Sequence, residues 1–209
     1  QLVYPYVQRI SLKSGNIATF EDRLYWADCS HYYSTPTQRN FSIQNSKIFF
    51  TALYLPFPTK IIRIYQKVGT AGSSDGTSYI GIYSPHPYHH LPHNKLFGSG
   101  PLTLDVASDI IIDNVNLVVE PGLIWVAHLS TNYSTPPSIW CFGTNESRVS
   151  SWLHHTQNGN ENGLRNWNAA VYSNASFTAL PDQLSETDFG FGSPDAMIPL
   201  TSIEGQKVV

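Results

Sequence analysis

The fold is decided by two stretches of sequence, SKIFFTALYL at residues 46–55 and TKIIRIYQKV at residues 59–68. Both stretches are rich in aromatic and β-branched residues, which favour the pleated surface of a β-strand. Pro56 and Pro58 interrupt the apolar run between them and predict a corner there. The glycines and serines of residues 69–76 (GTAGSSDG) then supply the small residues that a chain reversal needs.

Side chains alternate between the two faces of a strand, so the second stretch predicts a core face and a polar face. We expect Ile62, Ile64 and Gln66 on one face, with Ile61, Arg63 and Tyr65 on the other. A third strand is predicted at residues 77–83.

Further strand patterns follow at short intervals, which is typical of a sandwich or jelly roll. They lie at residues 95–97, 102–106, 115–119, 123–130, 138–142, 149–154 and 197–203. The three consecutive isoleucines Ile110, Ile111 and Ile112 also favour extended chain. The sequence therefore predicts an all-β protein: an antiparallel, jelly-roll-like β-sandwich.

Residues 121–127 (PGLIWVA) predict a central strand that is covered on both faces, because the segment is almost wholly apolar after its turn. A buried Trp125 would need a hydrogen-bond acceptor for its indole N–H. Tyr133 lies among polar residues, and we expect it at an interface.

The segment before the sandwich lacks a sustained apolar period. We expect residues 1–40 to form an N-terminal extended arm or attachment segment, and residues 41–209 to form the β-sandwich domain. The alternative is that residues 17–29 contribute a strand pair that closes one edge of the sandwich.

Composition excludes several classes of protein. Charged residues make up 13% of the 209 residues and the net charge is −3 without charge runs, which argues against nucleic-acid binding. No apolar stretch reaches the roughly 18 residues that a membrane-spanning helix needs. The two cysteines, Cys29 and Cys141, are too few for a disulfide framework; a disulfide between them is the alternative to a free buried thiol.

Sequence motifs for catalysis are absent. The chain contains no Gly-x-Ser-x-Gly elbow, no His-Glu-x-x-His pair and no phosphate-binding glycine loop followed by Lys. No helical period separates the strands, as an α/β enzyme core would require. We therefore expect no catalytic residues, no cofactor and no enzymatic activity. A polysaccharide depolymerase that uses two carboxylates stays as a distant alternative.

The first candidate binding site is the segment PHPYHHLPH at residues 85–93, with His86, Tyr88, His89 and His90. Neutral imidazoles could bind Zn²⁺ or Ni²⁺. However, three prolines stiffen the segment and it contains no carboxylate to orient a ligand, so we expect no metal. Loops on rigid β scaffolds commonly carry recognition, which favours contact with a partner.

The second candidate site comprises Trp152, Trp167 and Tyr172 around the segment TQNGNENGLRNW at residues 156–167. Aromatic rings beside amides suit a sugar, whose apolar faces stack on rings and whose hydroxyls pair with amides. The alternative is a hydrated surface loop that Trp167 holds in place.

Several short motifs, taken in order, resemble a β-sandwich module found in bacteriophage tail fibre and other virion structural proteins. The resemblance covers roughly residues 40–203. Its motifs are Pro56-Phe57, VGTAG at 68–72, GIY at 81–83, LFGSG at 96–100, PGLIWVA at 121–127, ALP at 179–181 and IPL at 198–200.

The resemblance implies an accessory role on the virion, in a tail fibre, spike or capsid decoration, commonly as an oligomer. It brings no catalytic residues. We therefore expect localisation to the virion, contacts with other virion proteins through residues 1–40, and a homotrimer. The alternative hypothesis is a receptor-binding module that recognises host-surface polysaccharide.

Overall fold

The computed structural model describes residues 24–27, 38–55, 57–142, 171–173, 175–191, 198–199 and 201–208. These residues form two antiparallel β-sheets packed against each other, so the predicted all-β sandwich is confirmed. The described residues contain no α-helix, and their one 3₁₀ helix is Glu186–Asp188. None of their helices could cross a membrane. The jelly-roll order of strands stays a prediction.

The strands are β1 (Leu24–Ala27), β2 (Gln38–Ser42), β3 (Ile48–Leu55), β4 (Thr59–Thr70), β5 (Thr77–Pro85), β6 (Pro92–Gly98), β7 (Asp109–Ile112), β8 (Leu117–Val119), β9 (Gly122–Thr131), β10 (Ser138–Phe142), β11 (Val171–Ser173), β12 (Phe189–Phe191), β13 (Ile198–Pro199) and β14 (Thr201–Lys207). The first sheet contains β1, β14, β4, β10 and β13, with β2 on β10 and with β7 and β8 on β4. The second sheet has the order β12-β11-β3-β9-β5-β6.

Strand β9 is the centre of the second sheet, between β3 and β5. Every residue of β9 from Ile124 to Thr131 is buried, which confirms the prediction of a strand covered on both faces. Its even-numbered residues Ile124 and Val126 face the first sheet, and its odd-numbered residues Trp125, Ala127 and Leu129 face the opposite side. The second sheet therefore buries apolar side chains on both sides.

Aliphatic side chains from both sheets fill the space between them. The second sheet contributes Leu53, Leu55, Ile80, Ile82, Ile124 and Val126, and the first sheet contributes Ile61, Ile64, Val68, Ile110, Ile112, Val119 and Ile203. Burial of each such side chain contributes roughly 1.5–3 kcal/mol to folding. The three consecutive isoleucines are part of β7, so the prediction that they form extended chain is confirmed.

The alternation of faces predicted for β4 is wrong at Ile61 and Ile62. Ile61 and Ile64 are both fully buried between the sheets, whereas Ile62 is half-buried. The cause is a register shift against β14, where Glu204 pairs with Arg63 and Gly205 pairs with Ile61. Ile62 is the extra residue of a β-bulge, and an extra residue reverses the faces of everything before it.

The predicted strand at residues 102–106 is also wrong. Leu102 makes only an isolated bridge with Ser78, although Leu104 is buried in the core. The backbone N–H of Leu104 donates to the Tyr133 hydroxyl at 3.1 Å instead of to a neighbouring strand. The Tyr133 hydroxyl thus replaces the backbone carbonyl of a neighbouring strand as the acceptor.

Among the described residues of 1–40, β1 lies wholly in this segment and β2 begins in it and extends to Ser42. β1 pairs with β14, and β2 pairs with β10. Both are edge strands of the first sheet, and β1 alone falls within residues 17–29, where the alternative placed an edge-closing strand pair. The prediction of an arm for the other residues of 1–40 falls outside the described residues, as do Cys29 and the strand predicted at 149–154. Cys141 is a free, buried thiol, and burial raises its pKa.

A chain of hydrogen-bonded polar side chains crosses the core. It includes Tyr133, which we expected at an interface and which is buried instead. Tyr133 OH lies 3.2 Å from Ser78 Oγ, which lies 2.7 Å from Ser130 Oγ. Ser130 Oγ lies 3.0 Å from His128 Nε2, and His128 Nδ1 lies 2.6 Å from Gln66 Oε1. Because the amide oxygen only accepts, His128 Nδ1 carries a proton and donates to it. The ring is buried, and this burial favours its neutral form, in which Nε2 accepts from the Ser130 hydroxyl.

The state of His128 predicts acid sensitivity of the whole domain. Burial lowers its pKa to about 3, so between the ordinary histidine pKa of about 6.5 and pH 3 the unfolded chain binds a proton that the folded chain excludes. The free energy of unfolding should therefore fall, through this group alone, by about 1.4 kcal/mol per pH unit below about 6.5. Urea unfolding between pH 7.5 and pH 4.5 measures this slope.

The matched control is His128→Gln, which keeps polar contacts but cannot titrate. Its absolute stability is free to differ, and only the slope against pH is compared. We expect a slope smaller by about one proton per molecule than that of the unaltered chain. Equal slopes would contradict the assignment.

Candidate functional site

The histidine-rich segment forms a closed turn between β5 and β6. We call residues 86–93 the histidine loop; its last two residues begin β6. The backbone N–H of His86 donates to Leu91 O at 2.7 Å, and the N–H of His90 donates to His86 O at 3.0 Å. His90 has a φ of 60°, a left-handed conformation that non-glycine residues rarely adopt. The loop is therefore a specific, tightly bonded conformation.

Three imidazoles of the loop are in contact. The rings of His86 and His89 are stacked, with centroids 3.7 Å apart and planes 4° from parallel. The His93 ring meets His86 edge to face at 4.7 Å. Burial lowers the pKa of His86, and the neighbouring His89 and His93 lower it further, while Glu186 opposes them. The surroundings therefore favour the neutral form of His86.

Tyr88 projects outward from this cluster. Its side chain is 89% exposed, the largest exposure among the large hydrophobic residues that the structure describes. Its backbone N–H donates to His86 Nδ1 at 3.3 Å, and its ring lies 5.7 Å from the His86 ring. The histidine loop thus fixes the backbone of Tyr88, whose ring is exposed.

The far side of the loop meets the 3₁₀ helix. Glu186 Oε1 lies 2.8 Å from His89 Nε2, although this nitrogen has no partner with hydrogen-bond geometry. The contact becomes an ion pair when His89 is protonated. The Glu186 side chain is 70% exposed, and a small rotation of it would align a hydrogen bond between Glu186 Oε1 and His89 Nε2.

His93 is held in one tautomer. The side-chain amide nitrogen of Gln183 lies 3.1 Å from His93 Nε2, and Leu184 O lies 2.9 Å from His93 Nδ1. An amide nitrogen only donates and a carbonyl oxygen only accepts, so Nδ1 carries the proton and Nε2 is the acceptor.

The loop lies against an aromatic cluster on the outer side of the second sheet. Phe50 packs edge to face on Tyr83 at 5.9 Å and on Trp125 at 6.5 Å, and it also contacts Phe189 at 5.8 Å. Trp125 is 0% exposed, and its indole N–H donates to the carbonyl oxygen of His90 at 2.8 Å. The acceptor predicted for Trp125 is thus a backbone atom of the histidine loop.

A second segment, residues 175–189, completes this cover and is called the cover segment. Leu180 and Leu184 pack into the aromatic cluster, and Pro181 O accepts from the Tyr83 hydroxyl at 2.7 Å. Along the outer edge of β6, the Lys95 N–H donates to Asp182 O at 2.8 Å, and Lys95 Nζ lies 2.6 Å from Asp182 Oδ1. The histidine loop and the cover segment therefore close the outer face of the second sheet together.

A different polar cluster lies on the outer side of the first sheet. Glu204 is fully buried; its carboxylate accepts from the Tyr65 hydroxyl at 2.5 Å and from Arg63 at 3.3 Å. Arg63 also pairs with Asp113. These bonds satisfy a buried carboxylate across the β4–β14 pair, which is a structural role.

The structure brings together four of the predicted site residues, His86, Tyr88, His89 and His90. Trp152 and Trp167 fall outside the described residues. Tyr172 lies in β11, where its backbone pairs with Phe49. Within the ranges that the structure describes, no group of three or more His, Cys, Asp or Glu side chains is arranged to hold a metal ion.

Sequence reasoning missed the residues that complete the site from the cover segment. Glu186 supplies the carboxylate that the histidine loop lacks, and Gln183 and Leu184 fix His93. These residues lie 90 or more positions along the chain from the histidines that they contact, inside a segment without apolar alternation. The buried indole of Trp125 was the one signal that something had to lie over this face.

The bond from Trp125 to the loop generates a test. Trp125→Phe keeps an aromatic ring but removes the donor and some volume, so we expect a loss of about 1–3 kcal/mol in the free energy of unfolding. Amide hydrogen exchange across residues 86–91 should become faster.

The control is Tyr83→Phe, which removes the bond to Pro181 O in the cover segment and should cost about 1 kcal/mol. Its exchange in the histidine loop should stay as in the unaltered chain. Equal loop exchange in both variants would show that the indole does not hold the loop.

The chain was compared with protein-family models and with curated proteins, and neither comparison found a match.

Proposed function

We propose that this chain is a structural module of a bacteriophage virion, displayed on the particle surface in a tail fibre, spike or capsid decoration. The observation that carries the proposal is the position of the resembling motifs within the sandwich. Residues 121–127 enter the central strand β9, residues 81–83 lie in β5, and residues 96–100 include the end of β6. These three motifs thus occupy one continuous run of the second sheet.

The scaffold suits such a role physically. The second sheet buries apolar side chains on both faces, and a bond from Trp125 fixes the histidine loop against β9. A rigid sandwich that presents a bonded loop is the arrangement commonly used for contact with a partner. The proposal includes no catalytic step.

Attachment is assigned to residues 1–40, through contacts with other virion proteins. Two strands from this segment, β1 and β2, join the edge of the first sheet, which would keep an attachment segment close to the sandwich. We propose a homotrimer, because accessory components commonly follow the symmetry of the place where they attach.

The test is the location of the chain on intact particles. Purified virions should contain the chain by mass spectrometry, and antibody raised against the isolated sandwich should label the outside of the particles in electron micrographs. Image averaging at the labelled position should give threefold density. Particles that lack the chain, while the lysate contains it, would overturn the proposal.

A receptor-binding module for host-surface polysaccharide is the second candidate, and Tyr88 is the observation that favours it. An exposed ring whose backbone is held in place loses little conformational freedom when a sugar face stacks on it. The half-buried ring of His86 lies beside it, with ring centroids 5.7 Å apart.

The second candidate predicts binding to a glycan array that Tyr88→Ala removes. Because Tyr88 is 89% exposed, the substitution should leave the melting temperature unchanged. The matched control is Val106→Ala, which also removes an exposed apolar side chain, 61% exposed, outside the histidine loop. Equal signals from both variants would exclude Tyr88 as the contact, and Trp167→Ala would then test the predicted site at 152–172.

A further inference from the structure

Each imidazole of the cluster uses one ring nitrogen as a hydrogen-bond acceptor. His86 Nδ1 accepts from the Tyr88 N–H at 3.3 Å, and His89 Nδ1 accepts from the Leu91 N–H at 3.4 Å. His93 Nε2 accepts from the Gln183 amide at 3.1 Å. Protonation places a hydrogen on both nitrogens of an imidazole, so it converts each of these acceptors into a donor that faces another donor.

The packing of the rings adds a second penalty. Two imidazolium rings stacked at 3.7 Å repel each other, and a third charge at His93 lies 4.7 Å from His86. The closed loop therefore disfavours the protonated form by two separate means, lost hydrogen bonds and like-charge repulsion.

Few charges nearby oppose this penalty. Glu186 faces His89 and is the carboxylate that offsets one imidazolium. Asp182 is paired with Lys95 on β6, and Asp188 accepts from the N–H and hydroxyl of Ser185. The other titratable groups here are His90 on the loop and the phenols of Tyr88 and Tyr83.

We propose that the histidine loop is an acid-sensitive latch, closed over the aromatic cluster while its imidazoles are neutral and released when they are protonated. Release breaks the bond from Trp125 to His90 O and withdraws Leu91 from the aromatic cluster. Acid thereby exposes apolar surface at one end of the second sheet. The latch is independent of the proposed function, since it follows from the loop's own bonds.

The direction with pH follows from proton linkage. The lost hydrogen bonds and the like-charge contacts penalise protonation only in the closed loop, whereas imidazoles free of these contacts have the ordinary histidine pKa of about 6.5. The latch is therefore closed above about pH 6.5, and its opening constant rises as pH falls, by up to about tenfold per pH unit for each proton that the closed form excludes.

Hydrogen exchange followed by mass spectrometry on the full chain tests the latch. Exchange is measured at pH 7.5, 6.5, 5.5 and 5.0, with labelling times scaled to the intrinsic exchange rate at each pH. Peptides across residues 86–91 should exchange at least about tenfold faster at pH 5.0 than at pH 7.5. Peptides within β3 and β9 should stay protected, which separates release of the loop from the loss of global stability caused by His128.

Two variants decide the origin of the response. His86→Gln combined with His89→Gln removes both stacked titrating rings, so its loop exchange should lose most of its dependence on pH, whatever its absolute rate. Glu186→Gln removes the carboxylate that offsets an imidazolium and should move opening to higher pH; its side chain is 70% exposed, so the fold is unaffected.

The control for the second variant is Asp109→Asn, an exposed carboxylate on β7 in the first sheet, which should leave the pH response unchanged. A loop whose scaled exchange is constant from pH 7.5 to pH 5.0 would overturn the proposal. An identical pH response in the double variant and the unaltered chain would overturn it equally.

Discussion

The structure depends on the burial of β9 on both of its faces. An antiparallel sheet commonly keeps one face in water, but here Trp125, Ala127 and Leu129 point away from the first sheet and are still buried. Exposed, these side chains would form an apolar patch beside the rings of Phe50 and Tyr83. The chain therefore needs a third layer over the second sheet, and it builds that layer from a loop and an irregular segment instead of a helix or another sheet.

That third layer explains why side chains of the second sheet form hydrogen bonds with the segments that cover it. Irregular backbone that lies over apolar side chains must find partners for its own N–H and C=O groups. The Trp125 indole, the Tyr83 hydroxyl and the Lys95 ammonium all bond to main-chain carbonyl groups of the cover. Imidazoles suit the same task, since a neutral ring offers one donor and one acceptor in fixed directions.

The sequence predicted the sandwich because local composition is sufficient for its central strands. The β-branched residues of β3, β4, β5 and β9 leave few alternatives, and Ile110–Ile112 indicated β7 correctly. The bulge at Ile62 was beyond prediction, because it arises from the pairing with β14 at Gly205, far along the chain, and no glycine or proline adjoins Ile62 in sequence. Tyr133 was misread for a similar reason: its polar neighbours in sequence are at the surface, while its ring fills the space beside Gly76 in the core.

The candidate site was only half predictable. The histidines stand out in sequence, but their chemistry depends on Glu186 and Gln183, which reach them through tertiary contacts alone. The roles predicted for Trp152, Trp167 and most of residues 1–40 concern parts of the chain outside the described residues. The sequence pattern thus located the histidine loop and could not locate the residues of the cover segment that contact it.

The pairing of β4 with β14 has a consequence for biosynthesis. β4 ends at residue 70, whereas β14 begins at residue 201, so a ribosome has to add about 130 residues before β4 can gain this neighbour. During that interval the nascent chain carries an unsatisfied strand edge with β-branched side chains, which is a template for association with other chains. The sandwich is completed only after β14 has been synthesised, and its yield in a cell should depend on chaperones that shield the growing polypeptide.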